Sequence, residues 1–494
     1  MNQGDLPGDG TGNEAAGKRP RAGRAGVRAP IVAVKGRNGP GAKGAQEGGD
    51  VTDKALEPDA VPGSGAMPAG DIRARWAWVE AAVWTERMLT ALEEGVLGGK
   101  WYSLMDKVYP LPNLRKAFER VKANGGAAGV DRVTVKEFER HLEANLEKLS
   151  QSLRDGSYRP QAIRRVWIPK LGSKEKRPLG IPTVRDRVVQ AALRAVLEPI
   201  FERDFAAQSY GFRPNRGCKD ALRRVVALLE AGYHWVVDAD LKSYFDTIPH
   251  AALLARVKEK VTDSRVLGLL QAFLTAKIME TAEGWEPEEG TPQGAVISPL
   301  LSNLYLDPLD QLLARTGIEM VRYADDFVIL CRSEAEACQA LAKVRSWTVG
   351  AGLLLHPTKT RIVDARQRGG LDFLGYHFER GKHWPRRKSL GKLKDAIRAK
   401  TRRLNGQSLP AIITDLNRTL RGWFEYYQHS RPFIFADLDH WVRRRLRSLL
   451  RHRQGRHGCG GGKDNVQWPP AFFAKQGLFS LVAAHALACQ SSRR

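Results

Sequence analysis

Two adjacent aspartates inside an apolar stretch, Val321-Arg-Tyr323-Ala-Asp325-Asp326-Phe-Val-Ile-Leu330, constrain this chain more than any other feature. β-Branched and aromatic residues favour a pleated strand, and here they flank the acids on both sides. The stretch reads as a β-hairpin with Asp-Asp at its tip. Like charges in a tight turn between buried strands repel, and partial desolvation raises the cost. A second acidic strand end lies upstream, Val236-Val-Asp238-Ala-Asp240-Leu-Lys-Ser-Tyr-Phe245-Asp246. Divalent metal relieves such crowding. Mg2+ prefers oxygen ligands and takes one or two carboxylates from a protein, with water and substrate phosphates filling the rest. A pair of such ions stabilises both the attacking and the leaving oxygen of an in-line phosphoryl transfer. The plainer reading is that Asp-Asp is a common turn dipeptide and that an acid at a strand end caps a helix. Taken singly, each motif leaves both readings open.

Charge narrows the class of partner. The chain has 494 residues, with Lys+Arg 79 against Asp+Glu 54 and a formal charge of +25. Basic side chains gain by releasing counterions condensed on phosphates, so nucleic acid is the favoured partner over a surface that is basic only for solubility. The five cysteines are scattered, without a C-x-x-C pair. A disulfide framework or zinc site is not expected, and a cytoplasmic location fits. No apolar run spans a bilayer, so no membrane is expected either.

Along the chain, residues 1–70 are rich in Gly, Ala, Pro and Arg and are expected to be disordered. Residues 71–160 read as a helical N-terminal extension. They hold a Trp-containing helical pattern from Ile72 to Glu94, a glycine-rich loop from Asn124 to Asp131, and a helix from Thr134 to Leu153. Val135, Phe138, Leu142, Leu146 and Leu149 share one face of that helix. In 161–385 strands alternate with helices, which predicts an α+β core. Residues 386–455 read as helical and very basic, with an apolar stripe of Ile413, Leu416, Leu420, Trp423, Phe424 and Tyr427. The next helix carries Arg443, Arg444, Arg445, Arg447, Arg451 and Arg453 on or near its exposed side. Beside aromatics in a basic protein, that series favours RNA contact over a merely solvated face. Residues 456–494 form a short basic end, read as a DNA-binding remnant, with a packed apolar stretch from Leu478 to Cys489.

Tyr323-Ala-Asp325-Asp326, with Asp240 upstream, resembles the active site of reverse transcriptases. Gly290-Thr-Pro-Gln293-Gly294-Ala-Val-Ile-Ser298-Pro299-Leu300 is similar to the palm motif that supports the template base and incoming nucleotide. Ile168-Pro-Lys170 with Arg177-Pro-Leu-Gly-Ile-Pro182 resembles the fingers hairpin, and Gln208-Ser-Tyr210-Gly211-Phe212-Arg213-Pro214 the next fingers motif. Leu355-His-Pro-Thr-Lys359-Thr and Phe373-Leu374-Gly375-Tyr376 resemble the last palm motifs. Leu420-Arg421-Gly422-Trp423-Phe-Glu-Tyr426-Tyr427, followed by the arginine-rich helix, is similar to the thumb or maturase domain of group II intron proteins. The motifs stand in the family's order from roughly Leu97 to Ser480. A counterpart of the Cys/His endonuclease that ends many relatives is not expected, since Cys459 is the sole cysteine between Asp364 and Cys489.

The resemblance implies a right-hand polymerase of fingers and palm with an α-helical thumb/maturase domain. It implies that Asp240, Asp325 and Asp326 are catalytic and bind two Mg2+ ions, for which Mn2+ can substitute, with the Leu241 carbonyl as a further ligand. Lys170, Arg177, Phe245, Gln293 and Lys359 are the expected nucleotide contacts. Phe245 is the steric gate against a ribose 2′-hydroxyl, and Lys359 a general acid for pyrophosphate. Tyr323, Gly294 and Phe373 to Tyr376 are expected on primer and template. Arg421, Trp423, Tyr427, Arg443, Arg444 and Arg445 are expected on RNA. The implied partners are intron RNA, an RNA template with a DNA primer, target DNA and dNTPs. The implied activity is RNA-directed DNA synthesis with assistance to splicing and mobility. Two other readings stay open: a maturase whose polymerase site is idle, and a free-standing or defence-associated reverse transcriptase.

Overall fold

The computed structural model describes residues 72–169, 176–279, 284–285, 287–457 and 462–491. The Gly/Ala-rich tail, Lys170 and Cys459 fall outside these residues. Every described residue belongs to the unit Leu56–Arg494. Among the described residues eleven strands follow in order: β1 (Ile163–Pro169), β2 (Lys176–Ile181), β3 (Trp235–Asp240), β4 (Ile278–Met279), β5 (Gly284–Trp285), β6 (Glu319–Tyr323), β7 (Asp326–Cys331), β8 (Arg361–Asp364), β9 (Leu371–Phe373), β10 (Tyr376–Glu379) and β11 (Lys382–Pro385). Helices separate them, and the class is mixed α+β, as the alternation predicts.

The palm sheet has the order β6-β7-β3-β8, with antiparallel neighbours throughout. Side chains alternate along a strand. Val237, Ala239, Phe327 and Ile329 therefore enter one core, and Val236, Val321, Val328 and Leu330 enter another. A strand buried on both faces is apolar without interruption, which explains the run after Asp326. Each such side chain contributes about 1.5–3 kcal/mol on burial. The second face is covered by Leu222 and Val225 of the helix Cys218–Glu230 and by Leu371, Phe373 and Phe378 of β9 and β10.

The fingers sheet has the order β2-β1-β4-β5, and its first hairpin sets Ile168 opposite Arg177. Behind it runs the helix Val184–Glu202, buried almost all round and capped by Thr183, whose hydroxyl accepts from the Asp186 amide. The glycine-rich loop is docked rather than free. Arg187 donates to the Gly125 and Ala127 carbonyls at 3.1 and 2.8 Å, and Arg164 donates to the Ala128 carbonyl at 2.6 Å.

Two predicted helices are broken. The Trp-containing run is two short helices, Ile72–Arg75 and Glu86–Glu94, joined by turns. The turns let Trp84 reach the core, where its Nε1 donates to the Ala195 carbonyl at 3.0 Å. The run from Thr134 bends at His141 (φ −121°, ψ 38°) into Val135–Arg140 and Leu142–Asp155. Phe138, Leu146 and Leu149 remain buried across the bend.

Helices Arg387–Lys400, Leu409–Tyr427 and Pro432–Arg453 form the thumb, and Ile413, Leu416, Leu420 and Phe424 lie in its core as the stripe predicts. The arginine row departs from expectation. Arg447 is buried and donates to the Trp468 carbonyl at 2.9 Å. Arg451 pairs with the buried Asp464 at 2.9 Å, and Arg445 donates to Thr401. Much of that row therefore knits the domain together. The segment expected to stand apart from residue 456 supplies Trp468, Phe473 and Leu481 to the same core. Buried Asp439 receives Ser480 Oγ at 2.7 Å and the Leu481 amide at 3.0 Å, which fixes the start of the last helix, Leu481–Ser491.

Phe473→Ala is accordingly expected to cost about 3–5 kcal/mol within the thumb. Hydrogen exchange reads this: amides of Leu409–Tyr427 lose protection while β3 and β7 keep theirs. A thumb left unperturbed would refute the shared core.

Candidate active site

Strand register brings the carboxylates together. Asp240 lies opposite Asp326 across β3 and β7, and Tyr323 opposite Asp326 across β6 and β7. Directly opposed residues project to the same face. Asp238, Asp240 and Asp326 thus leave the sheet on one side, while Asp325 sits with Ala324 in the two-residue turn. Ala324 adopts a left-handed φ of 61°, which costs an L-residue about 1–2 kcal/mol.

A buried guanidinium holds that turn. Arg322 is fully buried and donates Nε to Asp310 Oδ1 at 2.7 Å, with Nη2 on Asp310 Oδ2. Its Nη1 reaches Asn303 Oδ1 at 3.0 Å and the Ala324 carbonyl at 2.9 Å. The loop before the helix Cys218–Glu230 supports the other side. The Tyr210 amide donates to the Arg322 carbonyl at 2.8 Å, and the Arg322 amide to the Gln208 carbonyl at 2.9 Å. Gly211 is pressed so close that a Cβ there would lie 2.2 Å from the Ala324 nitrogen. An arginine within an apolar strand signals a buried partner, but nothing in the local pattern points to Asp310 or Asn303.

Electrostatic strain collects at the carboxylates. Burial pushes Asp326 up to about 7, repulsion from Asp325, Asp238 and Asp240 adds to this, and Arg386 opposes it. Burial also raises Asp325, reinforced by Asp240. Asp238 is raised by burial against the pull of Arg361, which it meets at 3.2 Å. Lys359 Nζ lies 2.5 Å from Asp240 Oδ2. Among the described residues no three His, Cys, Asp or Glu side chains stand ready as a closed metal-ligand set. An open, underneutralised carboxylate cluster is nevertheless the donor set that a hard divalent cation takes, with water and substrate oxygens completing the shell.

The other expected site residues fall into groups. Phe245 is half-buried in a T-shaped contact with Tyr244, ring centroids 5.5 Å apart. Its carbonyl accepts from the Thr291 amide at 2.6 Å, so the Gly290–Gly294 loop lies over it. The Gln293 carbonyl accepts from Gly180 of β2 at 2.7 Å, which ties that loop to the fingers. Gly294 is exposed beside it. A cavity of about 250 Å3 opens here, lined by Arg165, Gly180, Asp246, Thr291 and Gln293. The Leu241 side chain is buried, and the Asp240 carbonyl accepts from His356 at 2.7 Å, which aligns the segment carrying Lys359. Arg177 is exposed on β2. Tyr323 is half-buried, its ring 6.4 Å from that of Phe212.

Phe373 and Tyr376 do not present side chains to a ligand, because both are core residues. The turn between them is a joint instead. The Leu374 carbonyl accepts from Tyr426 Oη at 2.7 Å, and the Gly375 carbonyl from the Arg386 amide and Ser389 Oγ, each at 3.0 Å. Tyr427 is buried against Gly375 and stacks on Trp423 at 4.7 Å. Tyr427 packs the thumb onto the palm, while Trp423 is half-buried and lines a cavity of about 520 Å3 shared with Asp326 and Gly375. Arg421 and Arg444 are exposed, and Arg443 is half-buried.

Comparison with known proteins places this geometry. Residues 168–378 match the family model for reverse transcriptase (RNA-dependent DNA polymerase), and residues 390–464 match the group II intron maturase-specific domain. The chain is 34% identical over 289 residues to protein YkfC of Escherichia coli K12, covering 51% of this chain and 76% of that one. It is 38% identical over 208 residues to the group II intron-encoded protein LtrA of Lactococcus lactis subsp. cremoris, covering 42% of this chain. The chain belongs to the group II intron-encoded reverse transcriptase and maturase family. It spans 34% of the length of the Lactococcus relative. Nuclear intron maturase 4 of Arabidopsis thaliana is 27% identical over 263 residues, covering 53% of this chain and 31% of that one. Reverse transcriptases as a class work with divalent metal.

A carboxyl raised on folding stabilises the protein fully below its unfolded pKa, near 3.9. That stability is lost as pH rises through the folded value, about 7 for Asp326. Without metal, Asp326→Asn is expected to be more stable than wild type at pH 8 by roughly 2–4 kcal/mol, and to match it below pH 4. Unfolding midpoints in EDTA at both pH values test this. A mutant less stable at pH 8 would mean that the carboxylates are not crowded.

Proposed function

We propose that this chain is an RNA-directed DNA polymerase that copies intron RNA onto a DNA primer and binds the same intron to assist its splicing and mobility. The observation that carries the reading is the register that sets Asp240 against Asp326, with Asp325 in the adjoining turn. In this reading Asp240, Asp325 and Asp326 hold two Mg2+ ions, with Mn2+ as a substitute and the Leu241 carbonyl as a further ligand. When bound, such ions stabilise charge on the attacking and leaving oxygens of nucleotidyl transfer.

The chain's own residues supply the rest. Arg322 and Gly211 keep the acidic turn from yielding to carboxylate repulsion. Phe245 presents an aromatic face that would clash with a ribose 2′-hydroxyl, which selects deoxynucleotides. Gln293 and Gly294 form the floor for the pairing bases, and Arg177 with Lys170 attracts the triphosphate. Lys359, paired with Asp240 here, is in this reading the proton donor to the departing pyrophosphate. Tyr323 and the Leu374–Gly375 turn position the primer. The exposed cations Arg421 and Arg444, with Arg443, bind intron RNA through its backbone. Target DNA follows as the natural acceptor of a mobile intron.

Primer extension on an RNA template with dNTPs and Mg2+ is the direct test. Wild type is expected to extend. Asp325→Ala/Asp326→Ala is expected to lose roughly 10³-fold or more while still binding RNA. A folded, RNA-binding wild type that extends nothing would leave a splicing factor with an idle site. Phe245→Ala should raise ribonucleotide incorporation relative to deoxynucleotide by roughly 10-fold or more. An unchanged ratio would assign Phe245 to packing alone.

A further inference from the structure

A cavity of about 270 Å3 lies where the palm helix Cys218–Glu230 meets the hairpin of β10 and β11 and the end of the thumb helix Leu409–Tyr427. None of Asp240, Asp325 and Asp326 lines it. Its floor is apolar and aromatic: Leu222, Tyr376 and Phe378 are buried there, and Val226 is half-buried. His383 lies 5.7 Å from the rings of both Tyr376 and Phe378, and Tyr426 lies 5.9 Å from that of Tyr376. Rings set at angles in this way present both faces and edges to a flat guest. A mostly apolar cavity with a few polar groups at its rim is what a small ligand occupies.

Charge is not spread evenly around this cavity. Lys219, Arg223, Val226 and Glu230 follow at helical spacing along one face of Cys218–Glu230. A helical rise of about 1.5 Å per residue sets Lys219 and Glu230 about 16 Å apart, with cations at one end and the acid at the other. His429 stands with the cations. Burial holds its imidazole below the usual range, and Arg223, Lys219 and His485 repel its charged form. His383 is lowered by burial and by His429, with Glu230 pulling the other way. Both imidazoles are therefore neutral near pH 7 and offer N–H donors without adding charge. Lys219 meets Glu425 only at 3.9 Å, and Arg223 with Asp220 at 2.7 Å is an exposed pair one helical turn apart. Surface pairs of this kind contribute little, so both cations can turn to an anion held in the cavity.

We propose that this cavity binds a small planar aromatic anion, such as an aryl carboxylate, with its ring against Val226, Tyr376 and Phe378 and its charge toward Lys219, Arg223 and His429. The inference does not rest on the polymerase reading. Its consequence reaches the joint between palm and thumb, because Tyr376 Oη donates to the Tyr426 carbonyl at 2.8 Å and Tyr426 Oη to the Leu374 carbonyl at 2.7 Å. An occupant touches both tyrosines, and so bears on the seating of the thumb from outside the acidic site.

The test titrates the full chain with two fluorescent aromatic probes, 8-anilinonaphthalene-1-sulfonate and its uncharged parent N-phenyl-1-naphthylamine. Wild type is expected to bind each at one saturable site. Ala227→Trp, at an exposed position on the cavity wall, fills the space and should weaken both probes about 10-fold or more. Val226→Phe, a smaller plug, repeats this arm should Ala227→Trp fail to fold. Lys219→Gln/Arg223→Gln should weaken the sulfonate about 10-fold and leave the uncharged probe unchanged. Probe binding that survives the plugged cavity overturns the site. Equal loss of both probes in the doubly neutralised variant, or loss of neither, overturns the anion.

Discussion

A single buried guanidinium holds the acidic turn in place. Arg322 lies fully inside the protein, where an unpaired charge would be prohibitive. It is tolerated because Asp310 neutralises it in a two-point pair while Asn303 and the Ala324 carbonyl take the remaining donors. Those acceptors come from two places: the helix Ser298–Arg315 and the turn itself. The same residue's backbone pairs with the loop carrying Gly211. One side chain and its own amide thus join sheet, helix and loop around the Asp325 turn. Interactions of this kind are weak sources of net stability but strong sources of fixed geometry when every group is matched. The left-handed Ala324 is what they hold.

That rigidity has a purpose, because the site is built to repel itself. In a chain with a formal charge of +25, four aspartates meet at one sheet edge, with Asp326 raised to about 7. The immediate cations, Lys359 and Arg361, sit at the outer carboxylates Asp240 and Asp238. Asp325 and Asp326 are left facing the open side. A softer scaffold would let these groups part and solvate. In the proposed function, that crowding is what a bound divalent metal would relieve. Cations gather elsewhere, at the thumb helix start Arg386–Lys388 and at exposed arginines such as Arg421 and Arg444.

The sheet and its acids were legible because strand periodicity and register are local properties. Val236, Val328 and their alternates declare two buried faces, and Asp240 and Asp326 fall at their ends. The thumb stripe was legible for the same reason at helical spacing. Burial of arginine was not. Arg447 and Arg451 are four apart on one helix face, as a solvated row would be. Only the return of the chain through Trp468 and Asp464 decides that this face is inside. The burial of Phe373, Tyr376 and Tyr427 was hidden for a related reason. Their motif marks a place near the primer, but the pattern does not say whether ring or backbone is presented there. The structure turns the rings inward and leaves the Leu374–Gly375 turn at the cavity.

That turn also bears on how one thumb can serve two RNA tasks. Tyr426, Ser389 and Arg386 all bond to its carbonyls, so the first two thumb helices are tied to the palm at the point nearest Asp326. The inner faces of those helices are spent on this joint and on the thumb core. In the proposed function, the primer meets the Leu374–Gly375 turn, and folded intron RNA is left the outer cations such as Arg421 and Arg444. The two surfaces belong to one packed unit, because the C-terminal helix is pinned by Asp439 and seated in the same core. In that reading, intron RNA on the outer face would bear on the Leu374–Gly375 joint through rigid packing, with no need for a separate hinge. The physical cost is that a mutation in the thumb core, such as at Phe473, disturbs both surfaces at once, whereas loss of a single outer arginine leaves the palm joint intact.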